Sequence, residues 1–187
     1  MHSKRLYFFG FGLVLLLLII DQIIKVWVKT NMSLGESIPI LGNWFFLYFV
    51  ENEGMAFGMS LGGQIGKLLL TLFRLLFSGV LIYYFIRFIK EKQSCFVLTI
   101  AALIIAGALG NLIDCLFYGM IFGSYAPLFF GHVVDMFYVR LFFLPDWVPL
   151  WGGQWFFPAI FNFADSCITV GVFCVLIFYP KFKALKF

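Results

Sequence analysis

The stretch that decides the fold is residues 6–28, LYFFGFGLVLLLLIIDQIIKVWV. A helix needs ~20 predominantly apolar residues to cross a ~30 Å hydrocarbon core, and this run has the length and the composition. Lys4 and Arg5 precede it as they would a signal peptide, but no small-residue cleavage site follows. Asp21, Gln22 and Lys25 come next instead, so the run reads as a retained membrane-spanning helix. Asp21 and Lys25 stand at positions i and i+4, on one helix face, where they can pair.

Outward from this helix, three more apolar segments are long enough to span, at residues 67–89, 94–118 and 158–179. The chain has 187 residues, 63% of them hydrophobic and only 12% charged. Its mean hydropathy is +1.03. A soluble domain of this length cannot hide so much apolar surface. The prediction is a single integral membrane domain, residues 1–187, with four transmembrane helices and long loops at about 30–66 and 119–157. No internal repeat or low-complexity linker interrupts it.

The net charge of +4 is carried by short basic clusters at segment ends. That distribution orients a membrane protein and argues against nucleic acid as a partner. Lys4 and Arg5, then Arg87, Lys90 and Lys92, then Lys181, Lys183 and Lys186 fall on one side, which the positive-inside rule makes the cytoplasm. Both termini are predicted there. The other loops carry Glu36, Glu51, Glu53 and Asp146 with one base, Arg140, and face outward. Residues 37–58, SIPILGNWFFLYFVENEGMAFG, are β-branched, aromatic and punctuated by glycine, and predict short strands or a hairpin at the interface. The second outer loop is rich in Phe, Trp, Gly and Pro, and Trp147, Trp151 and Trp155 suit the headgroup region. A loop this long without clear structure is usually functional. The four cysteines, Cys95, Cys115, Cys167 and Cys174, form no CxxC pair. They predict neither a disulfide framework nor a zinc site, and those in apolar runs read as small buried hydrophobes.

Carboxylates from four separate places then fall at similar depth. Asp21 lies about 24 Å along the first helix from Arg5. Asp114 is near the outer end of the third segment, and Asp165 is roughly 8–10 Å into the fourth. Asp135 sits among apolar residues of the second outer loop, in GHVVDMFYV. An unpaired charge at such depth costs several kcal/mol, which makes intramembrane acids functional candidates. Asn111 and Asn162 each stand three residues before an aspartate and can orient it. Arg74 can snorkel or neutralise an acid. His132 and Asp135 have the spacing of a metal pair, but no further histidine is near, and no metal is predicted. Two carboxylates brought close share a proton: the ionised one activates water while the protonated one donates. On residues alone, an acid–base pair at Asp135 and Asp165 stands beside structural and transport roles.

Five motifs lie in order along nearly the whole chain: DQIIK at 21–25, NEGMAF at 52–57, GNLID at 110–114, VVD at 133–135 and FNFAD at 161–165. With them the sequence resembles the lipoprotein signal peptidase (signal peptidase II) family. The resemblance implies an aspartic endopeptidase of the bacterial cytoplasmic membrane, which needs no cofactor. It implies cleavage of diacylglyceryl-modified prolipoproteins just before the lipidated cysteine, by a monomer working among membrane lipids near the outer face. Carried over by motif, Asp135 and Asp165 are catalytic, and Asp21, Lys25, Asn52, Gly54, Asn111, Asp114 and Asn162 support the site or bind substrate. The predicted fold is an all-α four-helix bundle with a small periplasmic β-rich cradle. A mobile helix in the second outer loop would cover the site. Two features depart from the family pattern. Cys115 stands where an arginine usually follows the GNxxD aspartate, a role that Arg74 or Arg140 would have to fill. The segments on either side of Asp135, residues 115–134 and 136–162, are longer than usual. A small transporter or channel component is the alternative. It would need a polar stripe reaching the cytoplasmic side, and the inner halves of the last three segments have almost none. A non-catalytic membrane assembly factor is a third reading, against which the retained acids weigh.

Overall fold

Apolar sequence becomes three long helices in the computed structural model, which describes residues 3–52, 63–149, 152–156 and 159–183. Helix α1 is Ser3–Asn31, α2 is Gly63–Lys90 and α3 is Cys95–Ile113. Ser94 caps α3 by accepting the Val97 N–H at 3.3 Å. The α3 axis continues through a π-helical turn, Asp114–Tyr118, into the short α4, Gly119–Ile121. All three long helices have the length and hydropathy to cross a bilayer, the third as Cys95–Ile121.

The fourth apolar segment is organised differently from the expected span at 158–179. Ile160–Phe161 form strand β4, and helix α5 is Phe163–Ile177, followed by α6 at Tyr179–Lys183. The helix starts late because Asn162 is its cap, with an extended backbone at φ −119° and ψ −179°. Its side chain accepts the Asp165 N–H, while the Asp165 carboxylate accepts the Asn162 N–H. The 15 residues of α5 rise about 22 Å.

A four-stranded antiparallel sheet accompanies the helices, in the order β1-β2-β3-β4. Strands β1 (Ser37–Leu41) and β2 (Phe45–Asn52) are the hairpin expected from the first loop. Strand β3 (Val133–Val139) comes from the second long loop, where no strand was expected, and β4 from the start of the fourth apolar segment. Val133, Val134, Asp135 and Met136 are all buried. A strand covered on both faces has no polar alternation to betray it. The predicted covering helix of that loop is also absent among its described residues, where the only α-helical element is α4. The small β-rich part expected beside the helices is therefore present, and larger than the first loop alone supplies.

Helix α3 is central and packs against α1, α2 and α5. One apolar cluster, including Val14, Phe85, Ile89, Leu98 and Ile105, fills the helix layer. A second, with Val28, Met32, Phe49, Tyr118, Val134 and Met136, joins the end of α1 to the sheet. Outward-facing Phe8, Leu15 and Ile23 of α1, and Phe73 and Leu76 of α2, are exposed, as lipid-facing side chains are. Two glycines set the helix spacing. A Cβ at Gly107 would lie 2.3 Å from the Ala164 carbonyl oxygen, and one at Gly110 would lie 2.5 Å from Asp21 Oδ2. Small residues of this kind let helix backbones approach in a bilayer. Gly107→Ala is expected to separate α3 from α5 and to cost about 1–3 kcal/mol by overpacking. A lowered midpoint in thermal unfolding of the detergent-solubilised protein checks this; an unchanged midpoint would contradict the close approach.

Candidate active site

The site is built on Lys25, which α1 carries with no solvent exposure at all. Its ammonium lies 3.1 Å from Asp21 Oδ2 and 2.8 Å from Asp114 Oδ2. It also donates to Asn111 Oδ1 at 2.9 Å. All three ammonium donors therefore have acceptors. The i, i+4 pair read from the sequence is present, and it reaches across to α3 as well. Gln22 closes the cluster, its amide donating to Asp21 Oδ2 and Asp114 Oδ1, each at 3.1 Å. The Tyr118 hydroxyl donates to Gln22 Oε1 at 3.1 Å.

Each acid of this cluster also holds a backbone. Asp21 Oδ1 accepts the Ala164 N–H at 2.9 Å, in the first turn of α5, where a carboxylate meets the positive end of the helix dipole. Asp114 Oδ2 accepts the Val134 N–H at 3.3 Å and so holds β3. Three helices, α1, α3 and α5, and the strand β3 are thus referenced to one ion cluster.

Asparagine amides connect that cluster to the second pair of acids. Asn111 receives the Lys25 proton on its oxygen, which leaves its Nδ2 to donate to Asp165 Oδ1 at 2.8 Å. The Asn162 Nδ2 donates to Asp135 Oδ1 at 2.6 Å and to Asn111 Oδ1 at 3.0 Å. Its Oδ1 accepts the Asp165 N–H at 2.8 Å, so one side chain touches the residues of both acids. On the far side Asn52, at the end of β2, donates to Asp135 Oδ2 at 3.1 Å.

Asp135 is buried and Asp165 half-buried. Burial, and then the negative charge of Asp165, push the Asp135 carboxyl up to about 7. The Asn52 and Asn162 amides and the Lys25 charge act in the opposite direction and do not overcome it. Both effects favour the neutral form of Asp135, the form able to donate a proton.

Eight of the nine residues named from the sequence meet in this network: Asp21, Lys25, Asn52, Asn111, Asp114, Asp135, Asn162 and Asp165. The ninth, Gly54, lies outside the described residues. Gln22 and Tyr118 were not singled out. Gln22 sits inside the DQIIK motif, and Tyr118 follows Asp114 by one turn, so both were within reach of the same periodicity. At Cys115, Arg74 supplies the positive charge from α2, with Nη1 3.0 Å from Sγ; Lys67 Nζ lies 3.7 Å from the same sulfur. Arg140 lies instead over the rings of Phe46 and Tyr138, at 4.4 and 5.0 Å. His132 turns to Glu51, with Nδ1 3.2 Å from Oε2, and Glu51 also pairs with Lys29. His132 first, and Lys29 after it, hold the Glu51 carboxyl below the ordinary range.

Comparison with known proteins gives the class first. A solved structure described as a bacterial membrane enzyme, determined by the in meso method at 2.3 Å resolution, superposes with a TM-score of 0.63. It shares 27% identity, covering 94% of this chain and 89% of the other. The fold is that of a bacterial membrane enzyme. The model of the signal peptidase II family matches residues 13–180, and the chain belongs to that family of proteases. The lipoprotein signal peptidase of Porphyromonas gingivalis is 44% identical over 193 residues, covering 93% of this chain and 84% of its own. That of Amoebophilus asiaticus is 40% identical over 187 residues, covering 94% and 78%.

Removing the central cation tests the frame. Lys25→Met leaves Asp21 and Asp114 facing each other without compensation, a loss of about 3–5 kcal/mol for a broken buried pair. The yield of folded, monodisperse protein after detergent extraction is expected to collapse; a normal yield with normal thermal stability would show that the cluster is not structural.

Proposed function

We propose that this chain is an aspartic endopeptidase that removes signal peptides from diacylglyceryl-modified prolipoproteins, cutting just before the lipidated cysteine. The observation that carries this reading is the Asn162 bridge, which brings Asp135 and Asp165 into one hydrogen-bonded unit with unequal environments. Its membership of the signal peptidase II family supports the substrate class.

In the proposed reaction a water molecule sits between the two carboxyls. Ionised Asp165 takes a proton from that water as it attacks the scissile carbonyl. Asp135, whose neutral form is favoured by burial and by its neighbour, donates to the carbonyl oxygen. Collapse of the tetrahedral intermediate delivers a proton to the leaving amine and returns the pair to its starting state. Asn111 and Asn162 hold the carboxyls in this geometry, and Asp21, Lys25 and Asp114 hold the asparagines and the strand. Asn52 and Gly54 are proposed to face the substrate.

The same reading treats α5, with its neighbours, as a fourth span and both termini as cytoplasmic. The sheet and the carboxyl pair then lie at the periplasmic face. A lipidated cysteine anchors its peptide bond at that depth while its acyl chains remain in lipid. A monomer without a cofactor suffices for this chemistry.

Asp135→Asn and Asp165→Asn are each expected to lower cleavage of a diacylglyceryl precursor at least ~100-fold, the scale of acid–base catalysis, with the fold retained. Near-normal turnover in either variant would remove that residue from the chemistry, and equal cleavage of an unlipidated precursor would remove the lipid specificity. The pH dependence has a definite sign. Asp135 must be protonated to donate, so activity is expected to fall as pH rises through about 7. Because burial raises this carboxyl in the folded state, its neutral form favours folding at low pH, and that contribution is lost through the same range. Thermal stability should therefore decline as pH rises from about 4, the ordinary carboxyl range, through about 7 in the wild type, and less steeply in Asp135→Asn.

A further inference from the structure

The connection between β3 and β4 is longer than its role in the sheet requires, and it is not irregular. It begins at Arg140, whose N–H donates to the Trp44 carbonyl at 2.7 Å. The chain then folds into a small hairpin. Phe143 and Trp155 form an antiparallel bridge. The Phe156 N–H donates to the Phe142 carbonyl, and the Leu144 N–H to the Gln154 carbonyl, each at 2.8 Å. Gly153, with φ at +74°, turns the chain back against Asp146.

Its side chains face the wrong way for a loop in water. Phe142 and Phe156 stack at 4.7 Å, Phe143 meets Trp155 edge-on at 5.6 Å, and none of these rings enters the two apolar cores. Leu141, Phe142 and Phe143 are each more than half exposed, and Trp147 at the tip is 81% exposed. Asp146 is the only charged residue between 141 and 156. A clustered aromatic surface of this kind marks a binding face.

Arg140 says what the face meets. Its guanidinium lies over Phe46, Tyr138 and Trp155, at 4.4, 5.0 and 5.8 Å from the ring centroids. Its Nε is buried and has no hydrogen-bond partner among the described residues. A cation fixed on rings with an unsatisfied donor calls for an anion. Geometry limits where that anion can be. Phe156 and the first residue of α5, Phe163, are joined by a stretch that reaches at most ~25 Å. The hairpin therefore stays close to the end of a membrane helix, at the level where Trp and Phe find both apolar chains and polar headgroups.

We infer that residues 141–149 and 152–156 belong to an aromatic hairpin that lies in the headgroup and upper acyl region of the bilayer, with Arg140 at its base paired to a phospholipid phosphate. This rests on reading α5 as membrane-embedded, with the sheet at the membrane surface. The hairpin gives the sheet a second hold on the membrane besides the helix ends, and so keeps the carboxyl pair at a constant depth. A peptide partner is the less favoured occupant, because exposed rings beside a cation match the acyl chains and phosphate of one phospholipid.

The test uses the full chain reconstituted in phosphatidylcholine–phosphatidylglycerol vesicles. The Trp147 fluorescence is obtained as the difference between wild type and Trp147→Phe. It is expected to be quenched by lipids brominated near the carbonyl end of the acyl chain and to be spared by aqueous iodide. Quenching by iodide alone places the hairpin in water, and protection from both quenchers places it against protein; either result overturns the inference. Native mass spectrometry of the extracted protein titrated with phosphatidylglycerol is expected to find fewer bound lipids on Arg140→Gln than on wild type, and equal occupancy would overturn the phosphate contact. Neither readout depends on turnover. Cleavage of a lipidated precursor in the same vesicles therefore separates a failure of the hairpin from a failure of the protease reading.

Discussion

A single buried ammonium, that of Lys25, sits between two carboxylates on different helices, and the remainder of the site is referenced to it. Asp21 is its own-helix partner and Asp114 belongs to the π-helical turn that ends α3. Taking these charges out of water is costly, and their mutual attraction compensates only when every donor and acceptor is used. Here each is used: the third ammonium proton goes to Asn111, the carboxylate oxygens turned away from Lys25 accept from Gln22 and from the Ala164 backbone, and Asp114 Oδ2 accepts the Val134 N–H as well as Lys25. Such a cluster fixes one relative arrangement of α1, α3, α5 and β3, because any other leaves a charge unpaired in a medium with no water to replace the partner. The π-turn fits the same requirement, since a local change of helical period is a way to re-aim side chains at functional sites.

From this frame, order passes to Asp135 and Asp165 through amides instead of charges. That division has a chemical consequence. An ammonium in direct contact with Asp135 or Asp165 would favour ionisation of both. Asparagines fix position with neutral dipoles and leave burial and mutual repulsion to set the proton on Asp135. Asn162 has a further duty as the cap of α5, so the start of a helix and the spacing of the acids are set by one side chain. The late start of α5 follows from this. The residues before it are drawn into β4, which pairs with β3 and so lies beside the strand that carries Asp135.

The sheet does for Asp135 what the helices do for Asp165. The β2–β3 register sets Val50 opposite Asp135 and Asn52 opposite Val133, so the Asn52 amide reaches the carboxyl diagonally across the ladder. Glu51 points elsewhere, to Lys29 and His132, and ties the same strand to the last turns of α1. Cys115 shows how a departure from a family pattern is accommodated. The sulfur is small and fully buried, and the room it leaves is reached by the guanidinium of Arg74 from α2.

Hydropathy and period were enough to read the membrane helices, the i, i+4 pairing of Asp21 with Lys25, and the first hairpin, because each is encoded by residues near one another in the chain. The motifs covered every described member of the polar network except Tyr118 for the same reason: the polar residues stand out against an apolar background. The second half of the sheet was invisible, since a strand buried on both faces loses its alternation, and so was the late start of α5, since Ile160 and Phe161 are as apolar as a helix interior. Tertiary structure alone decided that Lys25 also reaches α3, that Asn162 joins the two acids, that Arg74 and not Arg140 faces Cys115, and that Phe143 and Trp155 of the long β3–β4 connection bridge each other. Each of these is a contact between segments distant in sequence. Local propensity carries no information about such contacts; they are selected by the cost of leaving a buried polar group unpaired.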